Sequence, residues 1–190
     1  ENQNVPNIRK NYTVTDKADG DRKLMYVSDS GLIYLIDTNM NIIFTGNKTG
    51  DKTLYESLLD GEHIKYDKHN NYLNLYAAFD IYYKNKESVR EFDFVKTIYT
   101  DEDENDENKY RLKLLYDFIN DLKSYSVFDK AHQKEVKANV NEKKTPLKIV
   151  CKEFYNDIGN NSIFDGCSKI LSNEKDGLYE YNTDGLIFTP

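Results

Sequence analysis

The stretch TDKADGDR, residues 15–22, places a lysine and an arginine on either side of an Asp-Gly pair. Glycine permits a sharp turn, which lets Lys17 and Arg22 converge on one ligand. A lysine whose pKa is lowered by burial or by neighbouring cations acts as a covalent nucleophile, and an arginine holds a ribose hydroxyl or a phosphate. Read alone, the same stretch is also typical of a charged hairpin turn.

Three further motifs combine an acidic residue with a glycine or an aromatic residue. LLDGEHI places Glu62 in a predicted strand. AAFDIYY ends an apolar run with Phe79 and Asp80, and TDGLIFTP places Asp184 before another apolar run. Several carboxylates at strand ends, together with one lysine, are typical of a magnesium–nucleotide site. These motifs favour the interpretation of Lys17 as a lysine aimed at a phosphate.

Hydrophobic periodicity predicts the elements that position these residues. Residues 12–46 predict a β-meander, because apolar and β-branched runs alternate with the turn sequences DSG and TNMN. SLLDGEHIKYD and YLNLYAAFDIYY predict two further strands, and KYRLKLLYDFINDLKSYS predicts a helix with one apolar face. LKIVCKEFY then predicts a strand, IFDGCSKIL a turn into a short helix, and DGLIFTP a final strand. The order predicts an α+β fold with hairpins first and helices later.

Charge excludes one class of protein. The formal net charge of −7 argues against a domain that coats nucleic acid through bulk electrostatics. Residues 130–152 nevertheless form a local basic stretch, with seven lysines against two glutamates, which is either a solvated segment or a contact for RNA phosphates. The acidic run DEDENDEN, residues 101–108, predicts a solvated loop.

Cysteine and histidine usage argues against a zinc site. The two cysteines form no CxxC pair, which also fits a reducing compartment. His63, His69 and His132 share no ligand spacing, so we expect all three at the surface. No apolar run reaches the length of a membrane span.

The ordered set KADGDR, LLDGEHI, FDIYY and DGLIFTP resembles motifs I, III, IIIa and IV of the covalent nucleotidyltransferases. This superfamily comprises the mRNA capping guanylyltransferases and the ATP-dependent DNA and RNA ligases. YTVTDKADGDR and TDGLIFTP look most like the capping enzymes of large nucleocytoplasmic DNA viruses. The resemblance extends from about Tyr12 to Pro190. It implies an ATP-grasp-like nucleotidyltransferase domain, with mostly antiparallel twisted sheets flanked by helices.

The resemblance implies a role for each motif residue. Lys17 would attack the α-phosphate of GTP and form a lysyl-GMP, which then passes to the 5′-diphosphate end of an RNA. Arg22 would hold the ribose, and Glu62 would contact the ribose or a metal-bound water. Phe79 would stack on the guanine, since aromatic faces favour bases.

Three further residues complete the implied site. Asp184, together with Glu62, would bind Mg²⁺ or Mn²⁺ near the α-phosphate. Lys152 would reach the guanine edge or a phosphate, with an exposed strand lysine as the alternative. Asp80 would join the nucleotide-binding set, with a structural pairing as the alternative.

The sequence departs from the family pattern in three respects. The family carries a lysine pair after DGLIF and a C-terminal OB-fold domain, and neither occurs before Pro190. We therefore expect residues 1–190 to be a guanylyltransferase domain cut from a longer polypeptide and incomplete at its C-terminus. A second arginine, which capping enzymes often place on the hairpins after motif I, would be replaced by Lys23, Lys48 or Lys52.

Two other functions stay open on the sequence alone. One is the adenylation domain of an ATP-dependent DNA or RNA ligase. The other is a non-catalytic nucleotide-binding or scaffold domain that retains the fold. The implied partners are GTP, the 5′ end of RNA, and triphosphatase and methyltransferase domains on the same chain or in a complex. No membrane partner is expected. The expected location is cytoplasmic, in a viral factory or a virion.

Overall fold

The structure is a computed structural model, and it describes residues 8–9, 12–95, 110–128, 146–156 and 162–190. In chain order its elements are β1 (Thr13–Ala18), β2 (Asp21–Val27), β3 (Leu32–Ile36), β4 (Ile42–Thr49), a short 3₁₀ helix (Lys52–Leu54), β5 (Ser57–Tyr66), β6 (Tyr72–Lys84), β7 (Glu87–Ser88), α1 (Arg111–Asp121), β8 (Ser124–Ser126), β9 (Lys148–Cys151), β10 (Tyr155–Asn156), α2 (Ile163–Lys175) and β11 (Thr183–Thr189).

Most of the strands belong to one large sheet. Its order is β7-β6-β5-β2-β3-β4-β8, and every neighbouring pair in that order is antiparallel. β9 adds to β6 as a parallel strand. A second sheet of three antiparallel strands has the order β10-β1-β11. Because β1 runs directly into β2 through the turn at Asp19 and Gly20, Lys17 stands where the two sheets meet.

One helix packs on each sheet. Leu114, Leu115 and Phe118 of α1 are buried against one face of the large sheet, where Met25 and Leu59 belong to the same apolar cluster. α2 covers the small sheet with a separate cluster built from Val14, Ile163 and Ile170. Burial of these apolar faces is the main stabilising contribution to both layers. Neither helix in the described part of the chain is long and apolar enough to cross a membrane.

Most of the predicted elements are confirmed. The meander corresponds to β2, β3 and β4, the two further strands to β5 and β6, the helix to α1 and the final strand to β11. The helix predicted over IFDGCSKIL is longer than expected, since α2 has 13 residues. The predicted acidic loop and most of the basic stretch, residues 130–145, lie outside the described residues.

The single strand predicted over LKIVCKEFY is wrong. The chain forms β9 in the large sheet and β10 in the small sheet, with Lys152, Glu153 and Phe154 crossing between them. The amide of Lys152 still donates to the carbonyl of Ala78 in β6 at 2.9 Å, whereas the carbonyl of Glu153 accepts from Thr15 Oγ1 in β1 at 2.7 Å. Alternating apolar residues do not reveal that a strand changes sheets, because the pattern is the same on either side of the crossing.

Candidate nucleotide-binding site

Lys17 lies opposite an irregularity in β11. One residue of β1, Lys17, faces two residues of β11, Asp184 and Gly185, because the register shifts at this point. Such a bulge bends a strand and redirects its side chains. Gly185 has a φ of 142°, a conformation that favours glycine. Gly185 therefore permits the irregular backbone of β11 next to Asp184, and the side chain of Asp184 leaves the regular strand pairing at this point.

Lys17 and Asp184 form an ion pair open to water. Lys17 Nζ donates to Oδ1 and Oδ2 of Asp184 at 2.7 and 2.6 Å. The two side chains are 49% and 53% exposed. The hydrogen bond to Asp184 raises the pKa of Lys17, with smaller upward contributions from the charges of Asp184, Asp19 and Glu62. Lys17 is accordingly an accessible ammonium group with carboxylates around it.

Arg22 and Glu62 lie side by side on one face of the large sheet. They are direct partners in the pairing of β2 with β5. Glu62 is half-buried, and burial raises the pKa of its carboxyl. The turn before β2 touches the same strand, since a Cβ on Gly20 would lie 2.9 Å from Glu62 Cγ and 2.8 Å from the carbonyl oxygen of His63. A side chain at position 20 would collide with this strand, so glycine allows the turn to pack against it. This packing places Lys17 near enough to Glu62 for the Glu62 charge to act on it.

Phe79 is the extra residue of a bulge in β6. Ala78 and Asp80 both have partners in β5, whereas Phe79 between them has none. Ala78 and Asp80 pair with successive residues of β5, Gly61 and Asp60, so the bulge interrupts side-chain alternation at Phe79. It is half-buried, and it belongs to none of the three apolar clusters formed by the described residues. The stacking of its ring on the guanine stays a prediction.

Asp80 contacts Arg111, the first residue of α1. Its carboxylate accepts from Arg111 Nε at 2.8 Å and from Nη2 at 3.2 Å, and both side chains are mostly buried. Arg111 also donates to the carbonyl of Phe92 at 2.5 Å. These contacts fasten the start of α1 to β6. The nucleotide-binding role of Asp80 stays a prediction, and the contacts observed are those of a structural ion pair.

Lys152 is buried rather than exposed. Its side chain is 2% exposed, and Nζ lies 3.2 Å from Oδ2 of Asp16, which is 3% exposed. Nζ also donates to the carbonyl oxygen of Asp16. The hydroxyl of Tyr181 donates to the same carboxylate at 3.2 Å. Burial lowers the pKa of Lys152, while the charge of Asp16 opposes that shift. The residue next to Lys17 is therefore tied to β9 and to the segment before Asp184.

His63 is part of the interior, contrary to the expectation from the sequence. It is 8% exposed, so its predicted surface position is wrong, whereas His69 is exposed as expected. His63 Nδ1 lies 2.9 Å from Lys23 Nζ, and Nε2 lies 2.8 Å from Asn74 Oδ1. An ammonium group only donates, so Nδ1 must accept and the imidazole is neutral. Burial lowers the pKa of both Lys23 and His63.

The burial of Lys23 affects its proposed role as a replacement for the second arginine. Lys23 does not present its ammonium group to a surface ligand, because it is 6% exposed. Lys48 is half-buried and Lys52 is exposed. His132 lies outside the described residues.

Two carboxylates near Lys17 are the candidate metal ligands. No group of three or more His, Cys, Asp or Glu side chains in metal-binding geometry occurs within residues 12–95, 110–128, 146–156 and 162–190. Magnesium commonly uses only one or two protein carboxylates and completes its shell with water and substrate phosphates. Asp184 and Glu62, whose charges both act on Lys17, fit that requirement in their chemistry.

A cavity of about 460 Å³ lies beside β1. Asp16, Lys152, Tyr179 and Tyr181 are among its lining residues, and Lys17 is not. Asp16 and Lys17 point to opposite faces because they are successive residues of one strand. Lys152 in its lining nevertheless acts electrostatically on Glu62, whose charge also acts on Lys17, so the cavity lies close to the carboxylates of the site.

Comparison with known proteins agrees with these motifs. The family model for the catalytic domain of mRNA capping enzymes matches residues 2–190. Over 74 residues the chain is 36% identical to a probable mRNA-capping enzyme of Acanthamoeba polyphaga mimivirus. That stretch covers 39% of this chain and 6% of the viral relative, so the chain spans a small part of that protein.

Proposed function

This chain belongs to the family of mRNA capping enzyme catalytic domains, and we propose that it is an mRNA guanylyltransferase. It transfers GMP from GTP, through a covalent lysyl-GMP, to the 5′-diphosphate end of an RNA. The observation that carries this proposal is the meeting of Lys17 with Asp184 beside the Arg22–Glu62 face. Lys17 is half-exposed and surrounded by carboxylates, whereas the ammonium groups of Lys152 and Lys23 are buried against protein partners in the structure.

In the first step Lys17 Nζ attacks the α-phosphorus of GTP. A nitrogen–phosphorus bond forms, the bond between the α-phosphorus and the bridging oxygen breaks, and pyrophosphate leaves. Lys17 must lose a proton before attack, and its hydrogen bond to Asp184 opposes that loss because it raises the pKa of Lys17. The attack therefore requires Asp184 to release Lys17 and take another partner.

Asp184 and Glu62 would hold a magnesium ion when GTP binds. The ion supplies neutralisation of phosphate charge, which is the main requirement of phosphoryl and nucleotidyl transfer.

The other residues of the site bind the nucleotide. Arg22 holds the ribose, and Phe79 stacks on the guanine from the bulge in β6. Lys152 contacts the guanine edge or a phosphate once its bond to Asp16 is exchanged. In the second step a β-phosphate oxygen of the RNA attacks the phosphorus of lysyl-GMP, the nitrogen–phosphorus bond breaks, and Lys17 regains a proton.

The proposal includes the wider setting implied by the motifs. Residues 1–190 form an ATP-grasp-like nucleotidyltransferase domain that works with a later lysine motif, an OB-fold domain, and triphosphatase and methyltransferase activities. The polypeptide acts in the cytoplasm, in a viral factory or virion. The local basic stretch at residues 130–152 contacts RNA phosphates.

The test is covalent labelling of the natural polypeptide that carries these residues. It is incubated with GTP or ATP labelled at the α-phosphate, with added Mg²⁺, and separated by denaturing electrophoresis. We expect label from GTP, none in Lys17→Ala, and transfer to RNA with a 5′-diphosphate. Label from ATP alone would identify an adenylation domain, and no label from either nucleotide would support a scaffold.

A further inference from the structure

Arg22 rests on a carboxylate that is inaccessible to water. Arg22 Nε donates to Asp60 Oδ1 at 3.1 Å, and Nη2 donates to Oδ2 at 2.5 Å. The side chain of Arg22 is 61% exposed, whereas that of Asp60 is 0% exposed. A bidentate contact fixes the plane of a guanidinium group as well as its position. The buried carboxylate therefore determines the direction in which the exposed guanidinium points.

Asp60 is itself held by a tyrosine from the next strand. The hydroxyl of Tyr82 donates to Asp60 Oδ2 at 2.6 Å. Burial and the neighbouring Asp60 raise the pKa of Tyr82 to about 12, so the hydroxyl retains its proton at neutral pH. Three donor atoms, two from Arg22 and one from Tyr82, thus serve the two oxygens of one buried carboxylate.

A second bulge in β6 brings Tyr82 to this position. Ile81 and Tyr83 have partners in β5, and Tyr82 between them has none. The hydrogen bond of its hydroxyl to Asp60 shows that Tyr82 lies on the face of Asp60 and Arg22. Asp60 engages Nε and Nη2 of Arg22, which leaves both hydrogens of Nη1 and the second hydrogen of Nη2 for a ligand.

We propose that Tyr82 is a positioning residue, which acts through Asp60 to orient Arg22 toward the ribose of the bound nucleotide. The ribose assignment rests on the proposed function, whereas the orientation of Arg22 is a property of the chain without ligand. Without the Tyr82 hydroxyl, one oxygen of a buried carboxylate loses a donor, and the pair must rearrange to satisfy it.

The first test measures Arg22 directly, without a nucleotide. The chain has four arginines, so the Nε–H resonances are resolved by NMR and Arg22 is assigned through Arg22→Lys. In Tyr82→Phe we expect the Nε–H of Arg22 to exchange with solvent about tenfold faster, because a charge-assisted network has lost one bond. Arg111, which is bonded to Asp80, serves as the internal reference and should not change.

The matched control is Tyr83→Phe. Tyr83 is the half-buried neighbour of Tyr82 and is not bonded to Asp60. The Tyr83→Phe variant also removes a hydroxyl from β6, but one that does not contact Asp60. The Nε–H of Arg22 should therefore exchange with solvent at the wild-type rate in this variant. Unchanged Arg22 exchange in Tyr82→Phe, with a normal urea unfolding midpoint, would overturn the positioning role.

The second test measures sugar recognition in lysyl-GMP formation. GTP is compared with 2′-deoxy-GTP and 3′-deoxy-GTP in the natural polypeptide that carries these residues. We expect Tyr82→Phe to raise the KM for GTP about tenfold with kcat unchanged, and to reduce discrimination against one deoxy analogue by a similar factor.

The outcomes separate this inference from the proposed function. Faster Arg22 exchange with unaltered sugar discrimination would overturn the ribose part of the proposal. A wild type that forms no lysyl-GMP would refute the proposed function and, with it, the ribose part, while the exchange rate still decides whether Tyr82 positions Arg22.

Discussion

Two lysines beside the same strand are held in opposite ways. Lys17 meets Asp184 in an ion pair whose members are 49% and 53% exposed. Lys152 meets Asp16, the residue before Lys17, in a pair whose members are 2% and 3% exposed. The first pair stands at a bulge on the surface, and the second lies between the sheets with Tyr181 as a further partner. Water can take the place of either partner only in the first.

For these two lysines, the direction of the pKa shift does not predict which ammonium group is accessible for reaction. The pKa of Lys17 is raised by Asp184, although a nucleophile needs its neutral amine. The pKa of Lys152 is lowered by burial, yet its Nζ is enclosed by Asp16. Exposure and an exchangeable partner therefore favour Lys17 over Lys152 as the nucleophile of the proposed reaction, whereas a lowered pKa alone would favour Lys152.

The largest expected effect comes from breaking the buried pair. Asp16→Ala leaves the ammonium of Lys152 in the interior without its carboxylate, which costs about 3–5 kcal/mol in the free energy of unfolding. Urea denaturation followed by circular dichroism measures this. The double variant Asp16→Leu with Lys152→Met removes both charges and should recover most of the loss. An Asp16→Ala protein as stable as the wild type would contradict the comparison.

A smaller effect is expected at the second buried lysine pair, formed by Lys23 and His63. The folded pKa of His63 lies below the ordinary value of 6.5 because of burial, so the unfolded chain binds the extra proton first as the pH falls. The contribution of His63 should therefore lower the free energy of unfolding as the pH falls from about 6.5 to the folded pKa. Below the folded pKa this contribution should stay constant. Urea midpoints between pH 7 and pH 5 measure the slope.

His63→Gln should reduce that acid-induced loss of stability, because glutamine does not titrate. His69→Gln is the matched control, since His69 is exposed. Equal pH slopes for both variants and the wild type would refute the interpretation of His63 as a buried neutral imidazole.

At the exposed pair, the expected effect is on protonation. Asp184→Asn removes the carboxylate that raises the pKa of Lys17, so the pKa of Lys17 should fall toward its ordinary value. Reductive ¹³C-methylation followed by NMR titration measures it, with Lys17→Arg assigning the signal. Asp29→Asn changes an exposed acid that does not contribute to the shift and should leave the titration unaltered.

The smallest expected effect is on stability at the exposed pair. Lys17→Ala should leave the urea midpoint unchanged within error, because exposed ion pairs contribute little to folding. The same variant should lose all covalent label from GTP. A midpoint shift comparable to that of Asp16→Ala would show that the two pairs are not energetically different.

The sequence motifs predicted much of the fold, and two of the acidic residues that they selected, Asp184 and Glu62, lie near Lys17 in the structure. Alternation and turn residues were sufficient for β2 to β6, because β2, β3 and β4 are joined by short hairpins and so are β5 and β6. The change of sheet at Lys152, the buried partner of Lys23 and the contact of Asp80 with Arg111 were not predicted. Each depends on elements far apart in the chain, and side-chain periodicity carries no information about them.

Tyr82 and Asp60 show most directly what sequence reasoning missed at the site. Asp60 stands in the same motif as Glu62, so its type and position were visible, but its complete burial was not. Tyr82 lies in a run of strand residues where regular pairing would give it a partner in β5. The one feature of the sequence that could have indicated this network was the cluster of Asp80, Tyr82 and Tyr83 in the otherwise apolar strand β6.

The sequence by itself determined the order of the elements and which residue types stand at their ends, because both follow from local backbone preferences and apolar periodicity. Only the tertiary structure decided where the side chains point. Irregular pairing at Asp184, Phe79 and Tyr82 interrupts strand alternation at three positions of the site. A bulge is a property of two strands in register, and it exists only once both have been brought together.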